Sequence, residues 1–551
     1  MRSLSPCLPL LALLVSLSAC AGARRPVEAT VPEERATGTA YLLGDAVGGD
    51  LRADVAALAA DEMEGREAAT RGEERAARYI ADRLHEMGLQ PAAENGGGLD
   101  FLQEFDVQIV RFDTSATRIS LHDHPLGRLR LGDDWISMPE FSPIIGLDSV
   151  DVVFSGFGIT ALEHGYDDYA SIDAAGKVVV ALGGAPATLD SVSAFGQTFA
   201  ASDLITKWIS AAIQGAAALL VVDFEPAIKD WNDFATLARG SSATLASEKD
   251  AGVPIMPYAF LSRRVGNSLI ASFADTAGGV TPGPTETNFR MALHLTPQRE
   301  SGRSRNVVAR LPGAVAPEEY VAIGAHLDHL GRGEQGIYNG ADDDASGVAA
   351  VLAVARAFTQ DAAAGRTPDR SLLFVFHGAE EKGLLGAEFF TSSPERSVLN
   401  GLNQIVAKIN LDMVGRESVD SLYVVGADRM SSTLAKIVIE ANRQLGPNGQ
   451  PLFVLDRAFD DPDDPERTFE RSDHFKYAVR GIPVVFLTDG MGMNWAKGTE
   501  LDDYHEVTDD PEKLDFEKVR RVASLAYEIS RRAAASDAHI AVDGEIPVEN
   551  P

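Results

Sequence analysis

The sequence predicts an α/β protein: a central, mostly parallel or mixed sheet with helices on both faces, interrupted by an inserted β-rich module. Three observations point there. From Asn306 onward, strand-like apolar runs alternate with helix-like ones in the rhythm of βαβ units. Within that region Leu372-Leu373-Phe374-Val375-Phe376 and Pro483-Val484-Val485-Phe486-Leu487 are unbroken apolar runs, as parallel strands buried on both faces require. Between Leu126 and Gly283 the rhythm changes to short strands separated by Gly and Asp turns, which reads as a separate unit.

Bulk properties agree with a multidomain globular protein. The chain has 551 residues, more than one hydrophobic core usually supports, with 45% hydrophobic and 24% charged residues. Its formal charge of −32 repels phosphate backbones and anionic headgroups, so no nucleic-acid partner is expected.

Taken in chain order, Arg2 precedes an apolar run from Leu8 to Leu17 that is too short to span a bilayer but suits the core of an export signal. The run ends in Leu17-Ser18-Ala19-Cys20, which resembles the bacterial lipobox and implies diacylglyceryl attachment to Cys20. The expected division is a lipoprotein signal peptide over 1–19 and a linker over 20–45, with the protein held at the bacterial cell envelope by a lipid anchor. Of the two cysteines, Cys7 would leave with the signal. No thiolate is then left for catalysis or metal binding, which confines the chemistry to oxygen and imidazole ligands.

The spacing of Leu51, Val55 and Leu58, then of Ala77, Ile80 and Leu84, predicts two helices ending near Gly88. Phe101 to Val107 alternates like a strand. These fall in the first part of the main domain, 46–125. Within the inserted unit, 126–283, Val153 to Ile159, Tyr166-Asp167-Asp168-Tyr169 and Gly176 to Val180 resemble the protease-associated domain, a small β-rich insert of several peptidase families. The second part of the main domain, 284–535, predicts strands at Tyr320 to Ala325, Leu372 to Phe376, Ile405 to Leu411 and Val484 to Leu487. Helices are predicted at Gly347 to Phe358, Leu384 to Phe390, Leu434 to Arg443 and Phe516 to Ala533. Residues 536–551 lack periodicity and read as a loose tail.

In open α/β sheets ligands bind beyond the carboxyl ends of the strands. Five such places carry suitable groups: His326-Leu327-Asp328, the turn Asn339 to Gly347 with Asp342, Asp343 and Asp344, Gly378-Ala379-Glu380-Glu381, Asn410-Leu411-Asp412, and Tyr504-His505. In His326-Leu327-Asp328 the i, i+2 spacing lets Asp328 reach the imidazole. Each place has an alternative as a helix cap, a turn or a partly buried histidine. Neighbouring carboxylates at a buried strand end are costly, however, unless a cation and a proton-transfer role account for them.

The ordered series resembles the co-catalytic di-zinc metallopeptidases of metallopeptidase family twenty-eight. These include the bacterial secreted aminopeptidases and, more distantly, glutamate carboxypeptidase. Supporting stretches are Glu64-Gly65-Arg66, Ser304 to Ala309, Arg471-Ser472-Asp473-His474 and Tyr504 to Asp509. The resemblance implies two Zn2+ per chain, one held by His326, Asp343 and Asp412 and the other by Asp343, Glu381 and His505. It further implies Glu380 as general base, Asp328 behind His326, Tyr504 as a donor to the developing oxyanion, and a cis peptide between Asp343 and Asp344. The implied activity is removal of N-terminal residues from peptide substrates. A glutamate carboxypeptidase-like reaction, glutaminyl cyclase chemistry with a single zinc, or an inactive binding protein on the same fold are the alternatives. A carboxypeptidase would need basic groups such as Arg471 or Arg480 in the pocket.

Overall fold

The computed structural model describes residues 43–548, apart from 95–96, 195–196, 223–230, 232–234, 236–237, 248–255, 274–282, 334, 417, 463, 465–466, 491–492, 495–498, 501–502, 536 and 538–539. The predicted signal peptide, Cys20 and the linker as far as residue 42 lie outside the described residues.

Four strands, Arg370–His377, Ala316–His326, Ile405–Leu411 and Val484–Thr488, lie side by side in parallel and are buried throughout except at Ala316 to Glu319. Among the described residues they form the middle of a ten-stranded mixed sheet. Pro297–Leu311 and Leu102–Phe112 extend it antiparallel on one side, and Ser421–Val425 and Val454–Asp456 on the other. Helices cover both faces. Asp45–Leu58, Arg71–Glu86, Gly347–Ala363, Ser432–Leu445 and Phe516–Ala535 pack their apolar sides on one face. Leu385–Ser392 and His474–Ala478 pack on the other through Phe390, Phe475 and Tyr477.

The local signals behave as the sequence predicts. In Arg71–Glu86 the Thr70 side chain caps Gly72 at 3.2 Å, acids occupy the first turn and Arg83 and His85 the last. Gly88, at φ 83, ends the run in a conformation that a side chain would disfavour. No helix of the described residues is long and apolar enough to cross a membrane.

Among the described residues a second sheet of eight strands has its own apolar core around Trp135, Phe154, Val180, Leu220 and Leu293. Its middle strands Ile145–Phe154, Val178–Leu182, Ala218–Val222 and Tyr258–Leu261 are parallel, and helices Leu204–Ile213 and Arg263–Phe273 belong to the same stretch. The unit therefore carries helices that its turn-rich sequence did not suggest.

The expected boundaries at 126 and 283 need correction. Arg118–His122 and Thr285–Leu295 pair with each other inside the second sheet, so that sheet reaches beyond both ends. Conversely, Ser242–Leu245 leaves the inserted stretch and pairs with Leu102–Phe112 at the edge of the first sheet. The reason is local: Ala243 and Leu245 alternate with polar residues and bury their side chains with Phe105, Val107 and Ile109, covering an edge that would otherwise be apolar.

The tail also differs from expectation. Ile540 is buried in the main core, the backbone N–H groups of Asp543, Gly544 and Glu545 donate to the carbonyls of Met430 and Arg429, and Asp543 accepts from the Ser432 N–H at 2.8 Å. One buried apolar anchor, three backbone hydrogen bonds and one cap fix this segment, and none of them produces a periodic pattern.

Candidate metal centre and active site

The four parallel strands end at a common edge of the sheet. His326 closes its own strand, Gly378 to Glu381 follow His377, and Asp412 follows Leu411, while Tyr504 and His505 lie in the loop region beyond Val484–Thr488. Asp343 lies in the turn Ala341–Ser346, which feeds directly into the helix Gly347–Ala363, and the Asp343–Asp344 peptide is cis.

The structure brings His326, Asp343, Glu381, Asp412 and His505 together, with Asp343 in the middle. His326 Nε2 lies 3.1 Å from Asp343 Oδ1 and 3.4 Å from Asp412 Oδ1. His505 Nε2 lies 3.3 Å from Asp343 Oδ2 and 3.3 Å from Glu381 Oε2. The two oxygens of one carboxylate thus face two separate donor sets.

These separations allow a test of fit. At Zn–N and Zn–O distances near 2.0–2.1 Å, the edge of a tetrahedron around zinc is about 3.3–3.4 Å. All four measured separations lie close to that edge. Asp412 Oδ1 is buried without a hydrogen-bond donor, as a ligand atom facing a cation would be. The residues fit zinc, and their all-oxygen-and-imidazole character suits it.

The flanking acids have other partners. Asp344 accepts from the N–H groups of Gly347 at 2.9 Å, Met413 at 3.2 Å and His326 at 3.2 Å, tying three strand-end loops together. Asp342 accepts from the Gly415 N–H at 2.8 Å, and the Asp342 and Asp343 N–H groups donate to Asp509 at 2.9 and 3.1 Å. Only Asp343 of the three turns its carboxylate to both histidines.

Asp328 departs from the expected contact. His326 Nδ1–H donates to the backbone carbonyl of Asp328 at 3.2 Å, whereas the Asp328 carboxylate is 4.0 Å away and instead accepts the Glu380 N–H at 2.9 Å. The carbonyl fixes the tautomer that leaves Nε2 with a lone pair. Burial raises the Asp328 carboxyl to about 6. Burial also raises Glu380 well above the usual carboxylate range; His326 opposes the rise, and Glu381 and Asp412 add to it.

Tyr504 stacks on His505 with ring centroids 3.8 Å apart, and its oxygen accepts from Arg471 Nη2 at 3.1 Å, leaving its own proton to donate. Burial lifts its pKa to about 12, so the proton stays on at neutral pH. A cleft of about 240 Å3 opens over the cluster, walled in part by Leu384, Glu470, Arg471 and Tyr504. Arg480 is elsewhere, paired with Glu388.

Three contributors escaped the sequence reading. His329 Nδ1 donates to Glu381 Oε1 at 2.7 Å and lies 3.7 Å from Asp343 Oδ2. The short contact is a hydrogen bond, and the uneven pair of distances suits a bridging ion less well than the even 3.3 Å pair of His505. Ser472 Oγ donates to Asp412 Oδ2 at 2.7 Å and accepts from Asn410 Nδ2 at 2.8 Å, aiming the Asp412 carboxylate. Arg66, fully buried, donates to the carbonyls of Leu58, Leu327, Asn339, Gly340 and Asp343. His329 could have been found as a further imidazole at the same strand end, and Arg66 and Ser472 lay in stretches noted for the resemblance without a role.

Residues 306–530 match the family model described as Peptidase family M28. The chain is 29% identical over 294 residues to a probable leucine aminopeptidase 2 of Aspergillus fumigatus, which covers 52% of this chain and 48% of that protein. It is 38% identical over 117 residues to a probable zinc metalloprotease of Pyrenophora teres f. teres, covering 21% of this chain and 23% of that one. The chain thus spans about half the length of the first relative and about a quarter of the second. Among solved structures, it shares its fold with an aminopeptidase from Aneurinibacillus sp. strain AM-1 at a TM-score of 0.58 and 19% identity, over 91% of this chain and 98% of that one. The zinc aminopeptidase of Bacillus subtilis superposes at a TM-score of 0.53 and 18% identity, over 90% and 98%.

Proposed function

We propose that the chain is a di-zinc aminopeptidase of peptidase family M28, whose model residues 306–530 match, and that it releases N-terminal residues from peptides. The observation that supports this most is the Asp343 carboxylate, with one oxygen 3.1 Å from His326 and the other 3.3 Å from His505, while Asp412 and Glu381 complete the two sets. His326, Asp343 and Asp412 would hold one ion, and Asp343, Glu381 and His505 the other. Bound zinc supplies Lewis acidity, which lowers the pKa of water and polarises a carbonyl.

The chain's own residues supply the rest. Glu380 takes the proton of the attacking water and returns it to the leaving amine. Asp328 holds the Glu380 backbone and, through its carbonyl, the His326 ring. Tyr504, with its oxygen already accepting from Arg471, donates its proton toward the developing oxyanion. Leu384 offers the cleft an apolar wall, and the leucine aminopeptidases among the relatives make N-terminal leucine the first residue to assay.

Arg471 in the cleft keeps one second reading alive, a carboxypeptidase that binds a terminal carboxylate. Metal analysis combined with assays of free and N-acetylated peptides separates the two. An aminopeptidase carries close to two zinc ions and loses turnover on acetylation, whereas a carboxypeptidase is indifferent to it. The proposal extends to residues 1–19 as a signal peptide, Cys20 as a lipid-anchored residue and the second sheet as a protease-associated insert. Detergent partition of the unaltered protein and of Cys20→Ala tests the anchor.

A further inference from the structure

A cavity of about 940 Å3 lies between the second sheet and the catalytic body, beside the candidate metal centre. It is near the upper end of the roughly 300–1,000 Å3 common for ligand sites. Its walls join the metal cluster at two points. Lys382 follows Glu381 directly, and Leu330 follows His329, whose imidazole donates to Glu381.

Its charge is opposite to that of the rest of the molecule. The whole chain has 49 Lys and Arg against 81 Asp and Glu. The cavity is lined by Arg128, Arg130, Arg239, Arg332 and Lys382 against two carboxylates, Glu67 and Asp133. Lys382 is spoken for, donating to the Ser241 carbonyl at 2.7 Å and lying 3.3 Å from Glu67. Arg130 lies 3.0 Å from Asp133 and 3.4 Å from Asp134, Arg239 pairs with Asp133, and Arg332 lies 3.4 Å from Glu64. The side chains of Arg130, Arg239 and Arg332 nonetheless remain 68%, 39% and 56% exposed, and such surface pairs exchange readily for a competing anion. Arg128, also exposed, makes no ion pair among the described residues.

Resting on the aminopeptidase reading, we infer that this groove receives the downstream part of the substrate and selects peptides with acidic residues shortly after the scissile bond. The cleft over the cluster is lined by Glu381 and the groove by its chain neighbour Lys382, and an extended peptide advances about 3.3 Å per residue, so only a few substrate residues are needed to pass this junction. Guanidinium groups bind carboxylates in a fork geometry, and a basic groove in an otherwise acidic molecule concentrates acidic segments at its mouth. The insert contributes three of the four arginines, which makes it a determinant of specificity.

The test compares Leu-Ala-Glu-Glu with Leu-Ala-Lys-Lys on the zinc-loaded protein, alongside leucine amide, which has no downstream residues. The expected result is a kcat/KM at least about tenfold higher for the acidic peptide at low ionic strength, shrinking as salt is added. Arg128→Glu combined with Arg332→Glu should abolish or reverse that ratio, and the paired Lys substitutions should restore it. A ratio taken on one preparation is indifferent to how much of a variant folds. Turnover of leucine amide with equal kcat/KM for the two peptides overturns this inference alone. Absence of turnover on leucine amide and both peptides overturns the aminopeptidase reading, and this inference with it.

Discussion

At the scale of single residues, Glu380 and Glu381 are neighbours in sequence with different surroundings. Glu381 meets two imidazoles, at 2.7 Å from His329 and 3.3 Å from His505, whereas Glu380 is held through its backbone and its carboxyl is raised by burial. Glu380→Gln is therefore expected to keep both zinc ions and lose turnover by at least about a thousandfold, since it preserves shape but cannot accept a proton. Zinc loss in that variant, read by mass spectrometry, would mean that the two roles are exchanged. The two histidines near Glu381 can be separated in the same way. His505→Ala should reduce zinc from about two ions per chain to about one, while His329→Ala should keep both and weaken only the second, because it removes a hydrogen bond to a ligand. The strand-end acids and histidines were noticeable in the sequence by residue type and place in the fold, and it was the family resemblance that implied their roles. Ser472 and Arg66 were not noticeable in this way, because a hydrogen bond from behind can come from many residue types and leaves no pattern, whereas His329 stood at the strand end as a further imidazole with nothing to mark its role.

At the scale of elements, the parallel strands and their helices were legible from apolar runs, which follow directly from burial on two faces. The edge strand Ser242–Leu245 was not, because its partner Leu102–Phe112 is distant in sequence and four alternating residues are a weak signal. Two buried polar side chains link elements that the sequence pattern treats as independent. Arg66 joins the end of the first helix, the His326 loop and the Asp343 turn through five carbonyls at 2.7 to 3.3 Å. Arg66→Lys keeps the charge but not the planar fork, and chemical denaturation should show a loss of about 3 kcal/mol or more. Glu73, in the first turn of Arg71–Glu86, reaches across to Ser304 and Arg305 on Pro297–Leu311. Burial raises its pKa from 4.5 to about 8. The unfolded chain therefore releases this proton first as pH rises, so the contribution of Glu73 to stability falls between about 4.5 and about 8. Glu73→Gln has no such proton to lose. Its Tm deficit relative to the unaltered protein should be largest near pH 5 and shrink towards pH 8, and a deficit that widens instead would show that Glu73 is ionised in the fold.

At the scale of the whole molecule, the second sheet leaves and rejoins the first at one point. Phe112 and Pro297 are paired across the antiparallel ladder of Leu102–Phe112 and Pro297–Leu311. The stretch between them carries the eight strands described in the second sheet and their separate core at the end of this two-stranded ladder, and Ser242–Leu245 returns from it to pair with Leu102–Phe112. None of the strand-end groups discussed above, from His326 to His505, comes from that stretch. Replacing residues 113–296 by a short turn of the kind that closes hairpins should therefore leave the catalytic body able to fold. The loss of Ala243 and Leu245 uncovers Phe105, Val107 and Ile109, so the shortened protein should melt at a lower temperature and be less soluble. It should still bind close to two zinc ions and hydrolyse leucine amide within about tenfold of the full chain, because the donor atoms are set by strands and loops that it retains. Any acidic-peptide preference should vanish, since Arg128, Arg130 and Arg239 leave with the insert. A shortened protein that folds, by circular dichroism and a cooperative melt, but binds no zinc would show that the second sheet shapes the metal centre itself, and the division of the molecule into a catalytic body and an added specificity unit would be wrong.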